Sequence, residues 1–519
     1  MSDTGNENMT VSGAIALAIA LYRDGRFKEA LRLCDDILDT VPDQTDILQL
    51  AGGLASNLGE HPRAAGYLIA LLKLDPGNAP AHNDLGGALG ALGQWEDAVA
   101  AHRRAIGIDP AYAEAYNNLG AALAALTLFE PAKAAYFKAI ELDPGFTKAH
   151  NNLGILLFAH GDFQASLEFC TRALEIDPGY AKAHGALGNA LHGLGRVDEA
   201  ISAYRRAIGI DPNLAEAHNS LGNAMKLRGD YEKALASYRR AIEINPGYAS
   251  AHYNLGNAQH DLGNFESSVA SLEKCRALDN SPGVAVRLAL LSPIIAASSE
   301  QIKTVRENVE AALDDLTNQG LRIADPCIET RFTNFLFAYH GLDDRPLQEK
   351  IAAFYLRACP DLAWTAPHCE KTPAQGKVRL GIISAHFTGH TVAKLFGGVI
   401  GNLSSDRLEV VLFDAKGTGV AETYGNDVDK VVTLLTHSLA HARAQLDVLF
   451  YPDIGMNALT FFLAFSRLAP VQCCSWGHGI TTGIPNMDYF LSCSAMEEPD
   501  GQKYYSEKLV TLNHFPMHY

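Results

Sequence analysis

Proline recurs every 34 residues along the first half of the chain, at Pro42, Pro76, Pro110, Pro144, Pro178, Pro212 and Pro246. A period of this length marks stacked helix–turn–helix units. A unit so short cannot bury its own apolar face, so neighbours must stack, and the stack offers a long concave surface suited to protein or peptide binding. Leu85-Gly86, Leu119-Gly120, Leu153-Gly154, Leu187-Gly188, Leu221-Gly222 and Leu255-Gly256 keep the same spacing, as do Ala105, Ala139, Ala173, Ala207 and Ala241. The small residues are expected where two helices cross closely, with the leucines and Tyr136, Tyr204 and Tyr238 filling the space between layers. Each proline falls at the end of a second helix, which it cannot continue, and it pushes the preceding residue out of the helical region.

This pattern resembles the tetratricopeptide repeat over residues 11–282, about eight units, after a polar tail at 1–10. The first two units are degenerate, and the last has Asn280 where the proline would stand.

At 519 residues the chain is long enough for two or three domains, and an apolar fraction of 48% is that of a globular protein. A net charge of −17 argues against a nucleic-acid binder, which would carry a basic face. The periodic pairs Arg103-Arg104, Arg205-Arg206 and Arg239-Arg240 read as solvated faces. Met1–Thr10 has neither a basic nor an apolar region of the secretory kind, and the apolar stretch Val284–Ala297 is interrupted by Arg287 and Pro293. Nine scattered cysteines without a CxxC pair suit a reducing compartment, so a cytoplasmic protein without membrane contact is expected.

The first helix of each repeat should present alternate positions to the concave side. Asn118, Asn152 and Asn254 share one position, and Asn189, Asn223 and Asn257 another. A side-chain amide both donates and accepts, so a row of them can hold an extended peptide backbone without reading its sequence. The competing reading is that they satisfy neighbouring helix ends or water. His82, His150, His184, His218 and His252 recur in register, but Tyr116 fills the same slot, so they read as packing residues and not metal ligands.

After Asn280 the period disappears. Residues 283–375 read as a helical connector, with an amphipathic segment at Val305–Gln319 and a turn before a new helix at Gly341–Pro346. From 376 the pattern becomes α/β. Apolar runs at Val378–Ser384, Leu408–Asp414, Val431–Leu435, Leu446–Tyr451, Val471–Ser475 and Asp488–Cys493 alternate with helical segments, which predicts a parallel, Rossmann-like sheet covered on both faces. In such sheets ligands sit beyond the carboxyl ends of the strands.

Three loops at those ends stand out. His386–Thr391 follows the first strand, Pro452–Asn457 the fourth, and Trp476–Gly483 the fifth. His386 and His390 are spaced as zinc ligands on a helix would be, yet they lie in a loop with no evident third ligand. At His390 the open readings are a general base, a hydrogen bond to substrate, or loop packing. The Gly/Thr-rich third loop could offer N–H groups and hydroxyls to a sugar or phosphate. Gly417-Thr418-Gly419 only superficially resembles a dinucleotide loop.

The run RLAPVQ (Arg467–Gln472), then WGHGITTG (Trp476–Gly483), MDYF (Met487–Phe490) and YSEKLV (Tyr505–Val510), resembles the catalytic region of glycosyltransferase family 41, the O-linked N-acetylglucosamine transferases. GIISAHFTGHT (Gly381–Thr391) is similar to the histidine loop of that family's amino-terminal lobe, and FAYHGLDDRPLQ (Phe337–Gln348) to bacterial members. The resemblance implies a tetratricopeptide superhelix, a helical connector, and at 376–519 the amino-terminal lobe of a GT-B glycosyltransferase.

It further implies transfer of N-acetylglucosamine or another sugar from a UDP-sugar to Ser or Thr of proteins threaded along the repeats, with no metal and no cofactor beyond the donor. His390 matches the family's cleft histidine. Gly479, Thr481, Thr482 and Gly483 match the donor-sugar loop, and Asp453 lies in a further cleft motif. Met456 stands where relatives often carry a second histidine, Gly479 replaces a proline common in this loop, and the sequence ends at Tyr519 before a second lobe. Impaired catalysis by this chain alone is therefore expected, with a non-catalytic repeat scaffold as the alternative.

Overall fold

The computed structural model describes residues 11–513 apart from 331, 371–375, 404–405, 416–419, 426–427, 435–444 and 476–480. The chain divides into two compact units, Met1–Pro246 and Gly247–Tyr519.

Among the described residues the first unit holds fourteen helices, α1 (Val11–Arg23) to α14 (Tyr231–Ile244), each packed on the next. The first helices of successive repeats also touch one another, as α5 (Ala79–Ala91), α7 (Ala113–Ala125), α9 (Thr147–Ala159), α11 (Ala181–Gly193) and α13 (Ala215–Leu227) do in turn. Within a pair the expected close crossing is present. A Cβ added at Gly188 or Gly222 would sit 2.5 Å from the ring of Tyr204 or Tyr238. Both tyrosines are buried there, sixteen residues after their glycines.

The recurrent histidines do more than pack. The ring Nε2 atoms of His150, His184 and His218 lie 3.1 Å from the carbonyls of Pro144, Pro178 and Pro212. A carbonyl only accepts, so each Nε2 carries the proton and ties the start of one helix pair to the turn before it. The aspartate before each proline closes the same turn: Asp143 and Asp177 accept from the amides of Gly145 and Gly179 at 3.0 and 2.9 Å.

The second unit begins with a helix pair of repeat length, α15 (Ala249–Asp261) and α16 (Phe265–Leu278). There follow α17 (Pro282–Ala289), α18 (Ser299–Asn318), α19 (Pro326–Glu329) and α20 (Arg345–Ala358). Seven strands form one wholly parallel sheet: β1 (Val378–Ser384), β2 (Leu408–Asp414), β3 (Lys430–Thr433), β4 (Val448–Tyr451), β5 (Val471–Cys474), β6 (Tyr489–Cys493) and β7 (Lys508–Leu512). Their order is β3-β2-β1-β4-β5-β6-β7, so the winding reverses between β1 and β4.

Three further helices, α21 (Thr391–Ile400), α22 (Val420–Tyr424) and α23 (Ala458–Leu463), join strands of the sheet. Alternate residues of β1 and β2 feed two cores. Ile382, Val410 and Leu412 pack with Phe387 and Ile400, whereas Ile383, Val411 and Phe413 join the larger core of α18, α20 and α23. The six expected strands appear within two residues of their predicted bounds; β7 does not appear among them, because its core-facing residues are only half-buried and the run is short.

Candidate functional site

The winding reverses between β1 and β4, and the carboxyl edge of the sheet beside such a reversal is the place where open α/β folds take ligands. The loop after β1 turns through Gly389, whose φ of 66° suits glycine, and ends at His390, the N-cap of α21. His390 Nδ1 accepts the backbone N–H of Val392 at 3.2 Å. That bond assigns the neutral ring its tautomer, with the proton on Nε2. Of the readings open at His390, this bond is itself loop packing, and it leaves an Nε2–H that can donate but not act as a general base. The His386 ring lies against it, centroids 4.3 Å apart.

Asp453 follows β4 and is completely buried. Its Oδ2 accepts from Ser384 Oγ at 2.8 Å and from the Ala385 amide at 3.0 Å, and Ser384 Oγ in turn accepts the His386 amide at 2.8 Å. Asp453 thus clamps the end of β4 to the loop that carries His390. Its Oδ1 has no partner among the described residues. Burial, only partly offset by these bonds, pushes its carboxyl up to about 6.

The third loop is anchored from below. Thr481 and Thr482 are buried, and both hydroxyls donate to Glu507, which also accepts the Thr482 amide at 2.7 Å. The Gly483 amide donates to Ser506 Oγ at 3.1 Å. Gly483 has φ 69°, and a Cβ there would lie 2.3 Å from the Gln348 backbone of α20. These residues, expected to meet a donor sugar, fasten the loop to the segment before β7. Gly479, and Trp476 to Ile480 around it, lie outside the described residues, as does Gly417-Thr418-Gly419.

Other motif residues build the scaffold beneath the edge. Gln472 is buried and accepts the Leu468 amide at 2.9 Å while donating to the carbonyls of Ser466 and Asn486 at 3.0 and 2.9 Å. Arg467 pairs with Asp488, which also accepts the Gln472 amide.

In the repeat array the predicted groove amides are half-buried and largely engaged with other side chains. Asn118 donates to Asn83 at 3.1 Å, and Asn152 to Asn117 at 3.0 Å. Asn189 and Asn223 accept from the Tyr204 and Tyr238 hydroxyls at 2.7 and 2.8 Å, which leaves their NH2 groups as donors. Asn189 also lines a cleft of about 300 Å³ on α9, α11 and α13, together with Lys182 and Glu216. In the second unit Asn254 and Asn257 lie on α15, and Asn257 Oδ1 accepts from Arg287.

Sequence reasoning gave no role to Ser384 or Glu507. Glu507 stood inside the motif YSEKLV, and a carboxylate among hydroxyl-bearing residues was the available signal.

Among the described residues no group of three or more His, Cys, Asp or Glu side chains is placed to hold a metal ion. No helix of the described residues is long and apolar enough to cross a membrane.

Comparison with known proteins bears on the repeats. Models described as TPR repeat match residues 88–126, 188–227 and 226–263, and tetratricopeptide-repeat models match 11–36, 113–146, 147–180, 169–202 and 249–282. No curated protein matches. A mutant O-GlcNAc transferase of Thermobaculum terrenum is 21% identical with a TM-score of 0.36, covering 72% of this chain and 59% of its own. The APC/C hetero-tetramer Cut9-Hcn1 gives 17% identity and a TM-score of 0.44, covering 53% and 54%. This chain thus spans less than two thirds of either. The assignment rests on the repeat models, which run without a break over residues 88–282 and make that stretch an array of tetratricopeptide repeats.

Proposed function

We propose that the parallel sheet is the amino-terminal half of a nucleotide-sugar-dependent protein O-glycosyltransferase whose repeats hold the acceptor. The observation that carries this reading is the carboxyl edge beside the β1/β4 reversal, where His390 is held with Nε2–H as its donor and Asp453 clamps its loop. A fixed donor at that edge can stabilise negative charge on the oxygens of a leaving diphosphate, at little reorganisation cost. UDP-N-acetylglucosamine is the donor that the sequence resemblance implies. Asn189 and Asn223 offer NH2 groups to the backbone carbonyls of an extended acceptor.

A second reading, a scaffold without catalysis, is favoured by one observation. The Thr481 and Thr482 hydroxyls face Glu507 and not the open edge of the sheet.

Calorimetric titration of the chain with UDP and with UDP-N-acetylglucosamine separates the two. Micromolar binding that weakens about tenfold in His390→Ala supports the transferase half, a factor typical of one lost hydrogen bond to a charged group. A folded chain that binds neither ligand sinks that reading and leaves the scaffold.

A further inference from the structure

Arg287 occupies the repeat position that holds Asn83, Asn117, Asn151 and Asn219 in earlier units, 34 residues apart or multiples of it. It lies on α17, the helix that follows the last full pair. Its Nε donates to Asn257 Oδ1 at 3.1 Å, and its guanidinium lies over the Phe332 ring, 4.8 Å from the centroid. These contacts fix the plane and the direction of the group. They leave the end-on edge, with its two terminal nitrogens, without a protein acceptor among the described residues. Asp261 is the nearby carboxylate, and it acts on Arg287 through space without forming an ion pair with it.

A buried or half-buried guanidinium is ordinarily paired, since taking its charge out of water costs several kcal/mol unless an anion compensates. Here the compensation present among the described residues is one neutral amide oxygen, one aromatic face and the through-space charge of Asp261, with no direct carboxylate pair. We infer that Arg287, held by Asn257 and Phe332, is an anchor for the carboxylate of an acidic side chain in an extended protein segment. The planar end of a guanidinium matches the two oxygens of a carboxylate. A single positive charge with Asp261 close by suits a single negative charge better than a dianionic phosphate. A protein segment suits the place because Asn257 keeps its amide nitrogen for a backbone carbonyl. This inference stands apart from the transferase reading and survives its failure.

The test presents the full chain with immobilised peptide pools that are random, but free of Asp and Glu, except for one fixed central residue. That residue is Glu in one pool, Gln in a second and phosphoserine in a third. The wild-type chain is expected to retain the Glu pool about tenfold better than the Gln pool, the worth of one charge-assisted pair. A net charge of −17 makes general attraction to acidic peptides an implausible source of such a preference. Arg287→Gln should bring the two pools to parity, and Arg287→Lys should keep part of the preference as a point charge.

Equal retention by the wild type, or a preference that persists in Arg287→Gln, overturns the inference. Stronger retention of the phosphoserine pool than the Glu pool overturns the carboxylate assignment. Urea unfolding provides the control. An anchor without a protein carboxylate partner predicts an unchanged or raised midpoint in Arg287→Gln, whereas a clearly lowered midpoint assigns the residue to structure instead.

Discussion

The repeat unit and the sheet spend buried polar groups in opposite ways. In the repeats the same few contacts recur, histidine to proline carbonyl and tyrosine to asparagine, and each joins elements close in sequence. In the sheet each polar contact occurs once and spans a long loop, as Asp453 does to Ser384 and Glu507 to Thr482. A repeated contact can be lost in one copy while its neighbours hold. A unique buried carboxylate has no second copy, and its removal leaves donors it served without an acceptor.

The widest gap between the two regimes is expected at Glu507. Glu507→Ala strands the Thr482 amide and hydroxyl inside the protein, while the Thr481 hydroxyl keeps Ser506 Oγ, at a cost of about 4 kcal/mol for the two orphaned groups. Hydrogen exchange at the Thr482 amide should accelerate sharply while amides of α9 and α11 keep their protection. Equal acceleration in the repeats would break the comparison.

Asp453 makes the second prediction, and its sign is set by burial. Its native carboxyl titrates near 6, above the ordinary value of 3.8, so the folded chain holds a proton that the unfolded chain releases between those values. Stability from this group is therefore full below about pH 4 and falls as pH rises towards 6, by up to about 3 kcal/mol. Asp453→Asn should flatten that part of the pH–stability curve in urea unfolding. An unchanged slope in the variant would show that some other group carries the dependence.

Legibility in the sequence follows the same division. The repeat helices are legible because a period of 34 samples each position many times, and the recurring Gly and Ala mark the close crossing. Six strands were legible as apolar runs. The roles of Thr481, Thr482 and Asp453 were not, because orientation depends on partners far away in sequence. Only the fold shows that Glu507 draws the threonines inward and that Ser384 occupies Oδ2 of Asp453. The motif RLAPVQ resembles part of a catalytic region, and its Gln472 and Arg467 brace the sheet. The asparagine row was read as a groove, and Asn118 and Asn152 turn sideways to other amides because successive first helices touch.

A third test asks how far a single repeat can be damaged. In Gly222→Ala the new methyl meets the Tyr238 ring at 2.5 Å, so helix or ring must move. Overpacking of this kind costs about 2 kcal/mol, and the helix preference of Ala over Gly returns about 1 kcal/mol. A net loss of roughly 1 kcal/mol in denaturant midpoint analysis is expected, with the change confined to the neighbouring repeats by hydrogen exchange. A loss as large as that of Glu507→Ala would mean that the repeats lack the redundancy ascribed to them.

The smallest effect has the opposite sign. The turn inside each helix pair passes through the left-handed region at Gly93, Gly161, Gly195 and Gly229, with φ between 75° and 87°. In the pair formed by α7 and α8 (Phe129–Leu142) the same place holds Thr127, at φ 59°. A β-branched side chain there crowds the following carbonyl and costs about 1–2 kcal/mol. Thr127→Gly removes that crowding, while the extra freedom of glycine in the unfolded chain takes back about 0.5–1 kcal/mol. The balance is a gain of roughly 0.5 kcal/mol, readable as a raised urea midpoint with an unchanged slope. A stabilising substitution at this turn requires that the repeat register alone sets the backbone there, since the Thr127 side chain makes no hydrogen bond within the described residues. A lowered midpoint would mean that Thr127 contributes a contact that outweighs its strain, and the repeats would then carry at least one irreplaceable residue of the kind found in the sheet.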